Sequence, residues 1–230
     1  MEKQKYAAIV LAAGSGKRMN SKVHKQYLII QDRPVLYYSL KAFEDSAVDE
    51  IVLVVGKGEE KFCRKEIVDK YGISKVKAIV EGGKERYHSV FEGLKQTSDA
   101  DYVLIHDGAR PFVNQDIIRR CMQEVQKYQA CVVGMPVKDT IKIADEEGYA
   151  KQTPDRKNVW MIQTPQTFSY ALIYEAYEEM LKTEDTAITD DAMVLERIKG
   201  KKSKLIEGSY RNIKITTPED LLIANVYLQH

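Results

Sequence analysis

The chain has 230 residues, 44% of them hydrophobic, and a formal net charge of +1. It is long enough for one large α/β domain, and its near-zero charge excludes the broad basic field that holds nucleic acid or an anionic membrane. Any anion must then be held by a local cluster of cations, which points to a small partner.

Tyr6 to Leu11 is a short apolar run that ends in Ala12-Ala13-Gly14-Ser15-Gly16-Lys17-Arg18-Met19. The run is too short for a signal peptide and reads as a first buried strand feeding a loop whose backbone can approach a ligand closely. A P-loop needs a glycine where Leu11 stands and a Ser or Thr where Arg18 stands, and a dinucleotide fingerprint needs a third glycine where Met19 stands. Both fail. What remains is two glycines followed by Lys17, Arg18 and Lys25, a set suited to a polyphosphate, although the segment alone also fits an ordinary strand-to-loop junction with solvated cations.

Pro34 predicts the start of a helix bearing Leu36, Tyr37, Leu40 and Phe43 on one face. Ile51 to Val55 is a continuous β-branched run, as in a strand covered on both faces of a parallel sheet. A charged helix from about Glu59 to Lys70, a strand from Val76 to Val80 ending at Gly82-Gly83, and a helix carrying Val90, Phe91 and Leu94 come next. Tyr102 to His106 is a strand that runs into Asp107-Gly108-Ala109-Arg110-Pro111. Asn114 is positioned to cap a helix through Tyr128, and Cys131-Val132-Val133 is one more strand. This order predicts an open, mostly parallel sheet with helices on both faces, with ligands at the carboxyl ends of the strands. The glycine-bearing loops at Gly14, Gly82 and Gly108 all fall there.

The pattern breaks between Val137 and Gln163. An acidic turn, Asp145 to Gly148, joins two polar-sided segments into a β-hairpin, and residues 137–160 are expected to form an exposed arm that pairs with a second subunit. Beyond it, Tyr170 to Leu181 is an amphipathic helix. Thr189-Asp190-Asp191 starts another helix, both acids serving mainly as caps, and Gly200 ends it. Asn212 to Thr216 is expected to be a last strand, and Thr217-Pro218-Glu219-Asp220 the start of a final helix. Cys63, Cys121 and Cys131 form no C-x-x-C pair, so neither a disulfide framework nor zinc is expected, and a reducing, cytoplasmic setting is. No apolar run approaches membrane-spanning length.

The motifs LAAGSGKRM, Lys25-Gln26-Tyr27, Gly82-Gly83-x-x-Arg86, HDGARPF, PVKDTIK, Thr153-x-x-Arg156, QTPQ, TDDA and NIKITTPEDL occur in this order. With them the sequence resembles the 2-C-methyl-D-erythritol 4-phosphate cytidylyltransferase family from Ala7 to about Leu228. The resemblance implies a Rossmann-like nucleotidyltransferase fold and transfer of CMP from CTP to 2-C-methyl-D-erythritol 4-phosphate, an early step of non-mevalonate isoprenoid biosynthesis. It further implies Mg²⁺ held mainly by the CTP phosphates, with no protein metal site, and a homodimer joined through the arm.

By the same resemblance Arg18, Lys25 and Lys214 stabilise the reacting phosphates, with backbone at Ala12, Ala13, Gly14, Ser15 and Gly16 around them. Ala13, Gly83, Lys84 and Ser89 read the cytosine. Asp107 and Arg110, with Thr164 and Thr189, bind the polyol phosphate, and Thr140 and Arg156 join them from the arm of the other subunit. Asp107 is expected to take a polyol hydroxyl. The family often has an acid at His88, alanine at Gly108 and valine at Pro154. Ribitol 5-phosphate cytidylyltransferase, similar in its CTP loop, is the nearest rival, and HDGAR and TDDA favour methylerythritol phosphate. A non-catalytic nucleotide-binding dimer would be expected to lack Arg18, Lys25 or Lys214.

Overall fold

The computed structural model describes residues 3–14, 24–183 and 187–229. β1 (Tyr6–Ala12) is followed by a short ribbon, β2 (Ile29–Ile30) and β3 (Arg33–Pro34), and by α1 (Val35–Glu44). Strand and helix then alternate through β4 (Glu50–Val55), α2 (Glu60–Cys63), β5 (Val76–Glu81), α3 (Arg86–Leu94), β6 (Tyr102–Asp107), α4 (Gln115–Tyr128) and β7 (Ala130–Pro136). The hairpin β8 (Ile143–Ala144) and β9 (Ala150–Gln152) precedes β10 (Trp160–Ser169), α5 (Tyr170–Met180), α6 (Asp191–Lys199), β11 (Lys204–Glu207) and α7 (Pro218–Gln229).

Seven strands form one sheet in the order β11-β7-β10-β6-β1-β4-β5, and only β10 runs against its neighbours. The continuous apolar runs are explained by cover on both faces. Ala8 and Val10 of β1 point with Leu53 toward Leu40 and Phe43 of α1 and Ile117 and Cys121 of α4. Their neighbours Ala7 and Ile9 point with Val52 and Val54 toward Val90 of α3, Ile173 and Tyr177 of α5 and Leu195 of α6. Asn114 caps α4, its side chain accepting from Ile117 N at 3.0 Å, and Gly200 closes α6 in the left-handed conformation. The three cysteines are free and buried. Among the described residues no helix is long and apolar enough to cross a membrane.

Two sequence expectations fail. Asn212 to Thr216 is not a strand; the last strand is β11, and the later segment is a loop tied to the sheet's end by Ile215 N donating to Ala109 O at 2.8 Å. Like β11, β10 was not expected, although it is central in the sheet. Its Pro165 sits where the pairing with β7 shifts register, between Ile162 and Gln166, so no ladder hydrogen bond is asked of it. Several of its buried side chains are polar, and Gln166 is satisfied on both sides: it accepts from Ala192 N at 2.9 Å and donates to Asp190 at 3.0 Å.

The segment 137–160 projects from β7. Asp145 accepts from Glu147 N at 3.1 Å and Tyr149 N at 2.9 Å and so shapes the turn, where Gly148 has φ +89°. Ile143 and Tyr149 stand exposed on it, large apolar side chains that the described residues cover only in part.

Candidate active site

The carboxyl ends of β1, β5 and β6 meet as the glycine loops predicted. Gly82 and Gly83 bring two loops together so closely that nothing but hydrogen fits. A Cβ on Gly82 would lie 2.5 Å from Ala13 Cβ, and one on Gly83 would lie 2.3 Å from His88 Cβ. Ser89 Oγ accepts from Gly83 N at 3.1 Å and donates to Glu85 O at 3.2 Å, which pins the loop to the first turn of α3. His88 stands where the resemblance offers an acid, and its Nδ1 accepts from Glu85 N at 3.3 Å, as a carboxylate in a capping box would.

Two cavities open along this edge. The first, of about 370 Å³, is lined by Ala12, Ala13, Gly14, Lys25, Gly83, Lys84 and Ser89, with Gln26 and Glu85 also on its wall. The second, of about 260 Å³, is lined by Arg110, Thr164, Thr189, Asp190 and the glutamines of β10. Arg86, Asp107 and Lys214 line both and form the junction between them.

Asp107 is the centre of that junction. Lys214 Nζ lies 2.7 Å from Oδ2, Arg86 Nε donates to Oδ1 at 3.3 Å, and Arg110 Nε is 3.9 Å from Oδ2. Burial alone would favour the protonated acid, but Arg86, Lys214 and Arg110 reverse this and hold the group well below the usual carboxylate range. Arg86 is also opposed by burial, yet the Asp191 and Asp107 carboxylates raise it well above the usual guanidinium range. Arg110 is lowered by burial and donates to Asn212 O at 2.8 Å, so its plane is fixed by the loop that carries Lys214. Lys25 Nζ donates to Ile215 O at 3.0 Å on the far side of the same loop.

His106 is buried behind this group. Its Nε2 lies 3.2 Å from Arg110 O, a carbonyl that can only accept, so Nε2 carries the proton and Nδ1 accepts from the Thr164 hydroxyl at 3.0 Å. Thr164 Oγ1 in turn accepts from Asp107 N at 3.0 Å. The only proton of Thr164 is thus committed inward, and its hydroxyl aligns the strand end that bears Asp107.

The expected residues therefore divide. Ala12, Ala13, Gly14, Lys25, Gly83, Lys84, Ser89 and Lys214 gather at the first cavity, and Asp107, Arg110, Thr164 and Thr189 at the second. Ser15, Gly16 and Arg18 lie outside the described residues. Thr140 and Arg156 are exposed on the arm and line neither cavity; Arg156 Nη1 donates to Lys138 O at 2.9 Å. Asp190 caps α6, its side chain accepting from Met193 N at 2.9 Å, but Asp191 does not act mainly as a cap. It is fully buried and takes both Nη atoms of Arg86, at 2.8 and 2.9 Å. Arg86 was visible only as a motif letter, and Gln26 and Gln166 gave no signal of their own.

The family model of 2-C-methyl-D-erythritol 4-phosphate cytidylyltransferase matches residues 6–230. A relative of that name from Lachnospira eligens is 54% identical over 224 residues, 96% of this chain and 98% of its own. Another, from Lachnoclostridium phytofermentans, is 50% identical over 226 residues, 98% of this chain and 97% of its own. Among solved structures, 4-diphosphocytidyl-2C-methyl-D-erythritol synthase from Anaerococcus prevotii is similar with a TM-score of 0.87 at 38% identity, covering 99% of this chain and 97% of its own.

Burial lowers His106 from an ordinary 6.5 to about 4. The unfolded chain binds a proton on this ring below about pH 6.5 and the folded chain only below about pH 4. The stability from keeping the ring neutral is therefore complete at neutral pH, is lost as pH falls toward 4, and falls no further below that. Urea unfolding at about pH 7 and about pH 4.5 should show a fall larger by about 2 kcal/mol in the parent than in His106→Gln. Equal falls in the two proteins would contradict a neutral buried ring.

Proposed function

Because the chain belongs to the 2-C-methyl-D-erythritol 4-phosphate cytidylyltransferase family, and so transfers CMP from CTP to that polyol phosphate with release of pyrophosphate, we propose that the transfer occurs at the Arg86–Asp107–Lys214 junction. CTP occupies the first cavity, with cytosine toward Gly83, Lys84 and Ser89 and its phosphates toward Gly14 and Lys25. The polyol phosphate enters through the second cavity, near Arg110 and Thr189. The observation that carries this reading is that two cations, Arg86 and Lys214, together with Asp107 between them, line both a larger cavity and a smaller one beside it.

The attacking phosphate is already ionised, so the step needs no general base. It needs two polyanions brought into line and compensation of charge as the α-phosphorus changes partners. Three cations face two carboxylates at the junction, which leaves a positive balance with Lys25 beside it. Lys25, Lys214 and, from the sequence motif, Arg18 supply that charge, and Arg110 receives the acceptor. Asp107 keeps lone pairs beyond those its cations use, and a polyol hydroxyl is its proposed further donor.

Mg²⁺ is proposed to arrive on the phosphates of CTP, whose charge it neutralises when bound. Asp107, the carboxylate common to both cavities, already has each oxygen against a cation, and no metal-holding cluster of three or more acidic, His or Cys residues occurs among the described residues. The family chemistry, not an open ligand set on this chain, supports the ion.

The chain is read as a single domain, 1–230, with 137–160 as the arm of a homodimer, so that Thr140 and Arg156 reach the partner's second cavity. The exposed Ile143 and Tyr149 support this. A cytoplasmic setting, without membrane or nucleic-acid partners, is supported by three unpaired buried cysteines and a balanced charge.

Lys25→Ala and Lys214→Ala should each lower kcat by about 100-fold or more with folding intact, read as pyrophosphate release from CTP and methylerythritol phosphate. Near-normal turnover in both would sink the charge-based reading. Arg156→Ala and Lys25→Ala, each weak alone, should regain part of the activity when subunits are exchanged, because some mixed dimers carry one intact site. No recovery, with exchange verified by sedimentation, would place Arg156 in its own protomer's site or outside catalysis.

A further inference from the structure

Asp191 lines neither cavity and has no part in the transfer as described, yet it is a fully buried acid directly behind the junction. It sits at the start of α6 and receives three hydrogen bonds, two from the Arg86 fork and one from Tyr177 OH of α5 at 2.6 Å. A guanidinium is planar, so a carboxylate that takes both Nη atoms also fixes where Nε points. Here Nε points at Asp107 Oδ1, 3.3 Å away, and the other oxygen of Asp107 holds Lys214 at 2.7 Å. One unbroken series of contacts thus runs from the helix layer behind the sheet to the ammonium at the cavity junction.

We propose that Asp191 is a positioning residue for the transfer: it fixes the plane of Arg86, Arg86 holds the Asp107 carboxylate, and Asp107 sets Lys214 where the acceptor phosphate meets the nucleotide. The inference rests on the reading of Lys214 as a residue of the reacting centre. It assigns Asp191 an effect on turnover that a buried ion pair serving only the fold would not have. Tyr177 supports the same alignment by occupying a lone pair of Asp191 that would otherwise admit other donors. The nucleotide end of the first cavity, at Gly83 and Ser89, is held by separate contacts and is untouched by the series.

The test is steady-state kinetics on full-length Asp191→Asn, Lys214→Ala and the double variant, with thermal melting measured on each. Asp191→Asn should lower kcat by about 10- to 100-fold and change KM for CTP by less than about threefold. In the Lys214→Ala background the same substitution should cost less than about threefold more in kcat, while its effect on melting should be the same in both backgrounds. Equal kcat losses in the two backgrounds, or a folded Asp191→Asn with normal kcat, would overturn the inference. Should Asp191→Asn not fold, Tyr177→Phe keeps the ion pair and removes one hydrogen bond. It should lower kcat by about two- to tenfold, again only when Lys214 is present, and unchanged kcat there would overturn the inference. The two readings separate cleanly: near-normal turnover in Lys214→Ala refutes the reading of the centre itself, whereas a collapse in Lys214→Ala with normal Asp191→Asn refutes the positioning role alone.

Discussion

A carboxylate buried at the end of a strand must be compensated or it will take up a proton, and Asp107 is compensated by three cations from three separate parts of the chain. Arg86 comes from the start of α3, Arg110 from the turn after β6 and Lys214 from the loop before α7. Arg110, the most enclosed of the three, would be costly there alone. Together with Asp107 and Asp191 they form a nearly neutral group that still presents positive charge to whatever enters. The single acid thus makes it possible to hold several cations close enough to meet two polyanions.

The fold is arranged so that these parts coincide. Parallel strands deliver the ends of β1, β5 and β6 to one edge, and the reversed β10 passes between β6 and β7 so that its polar middle faces the same place. Thr164 and Gln163 on that strand bind His106, Asp107 N, Ser209 O and Asn212, and so attach the carboxyl-terminal loop to the sheet. The side-chain amide of Asn212 also donates to Thr164 O at 2.9 Å. A strand buried among polar neighbours is therefore what carries Lys214 to Asp107.

The parallel strands were legible because helices cover both faces, which makes Ile51 to Val55 apolar throughout. β10 was illegible for the opposite reason: the side chains of Gln163, Thr164 and Gln166 are buried with their hydrogen bonds made, and Pro165 argues against a strand unless the register break is known. Asn212 to Thr216 alternates like a strand, but its partners are side chains, nearby turn carbonyls and Ala109 O at a sheet end, where no ladder forms. Asp191 follows an N-cap, and from sequence an acid there cannot be told from one that complements the helix dipole. The glycine loops and Lys25 were readable from residue type beside the first strand, whereas Asp107 and Lys214 were named only through the family resemblance. The three-dimensional dependence of Lys214 on Arg86 and Asp191 has no linear trace.

The most direct test of this account is a crystal structure of the chain with Mg²⁺, a non-hydrolysable CTP analogue and methylerythritol phosphate. The account predicts the α-phosphate within hydrogen-bond reach of Lys214 Nζ, with Lys214 still against Asp107 and the acceptor phosphate approaching from the Arg110 side. Phosphates bound elsewhere, with the junction of Arg86, Asp107 and Lys214 closed and untouched, would contradict it.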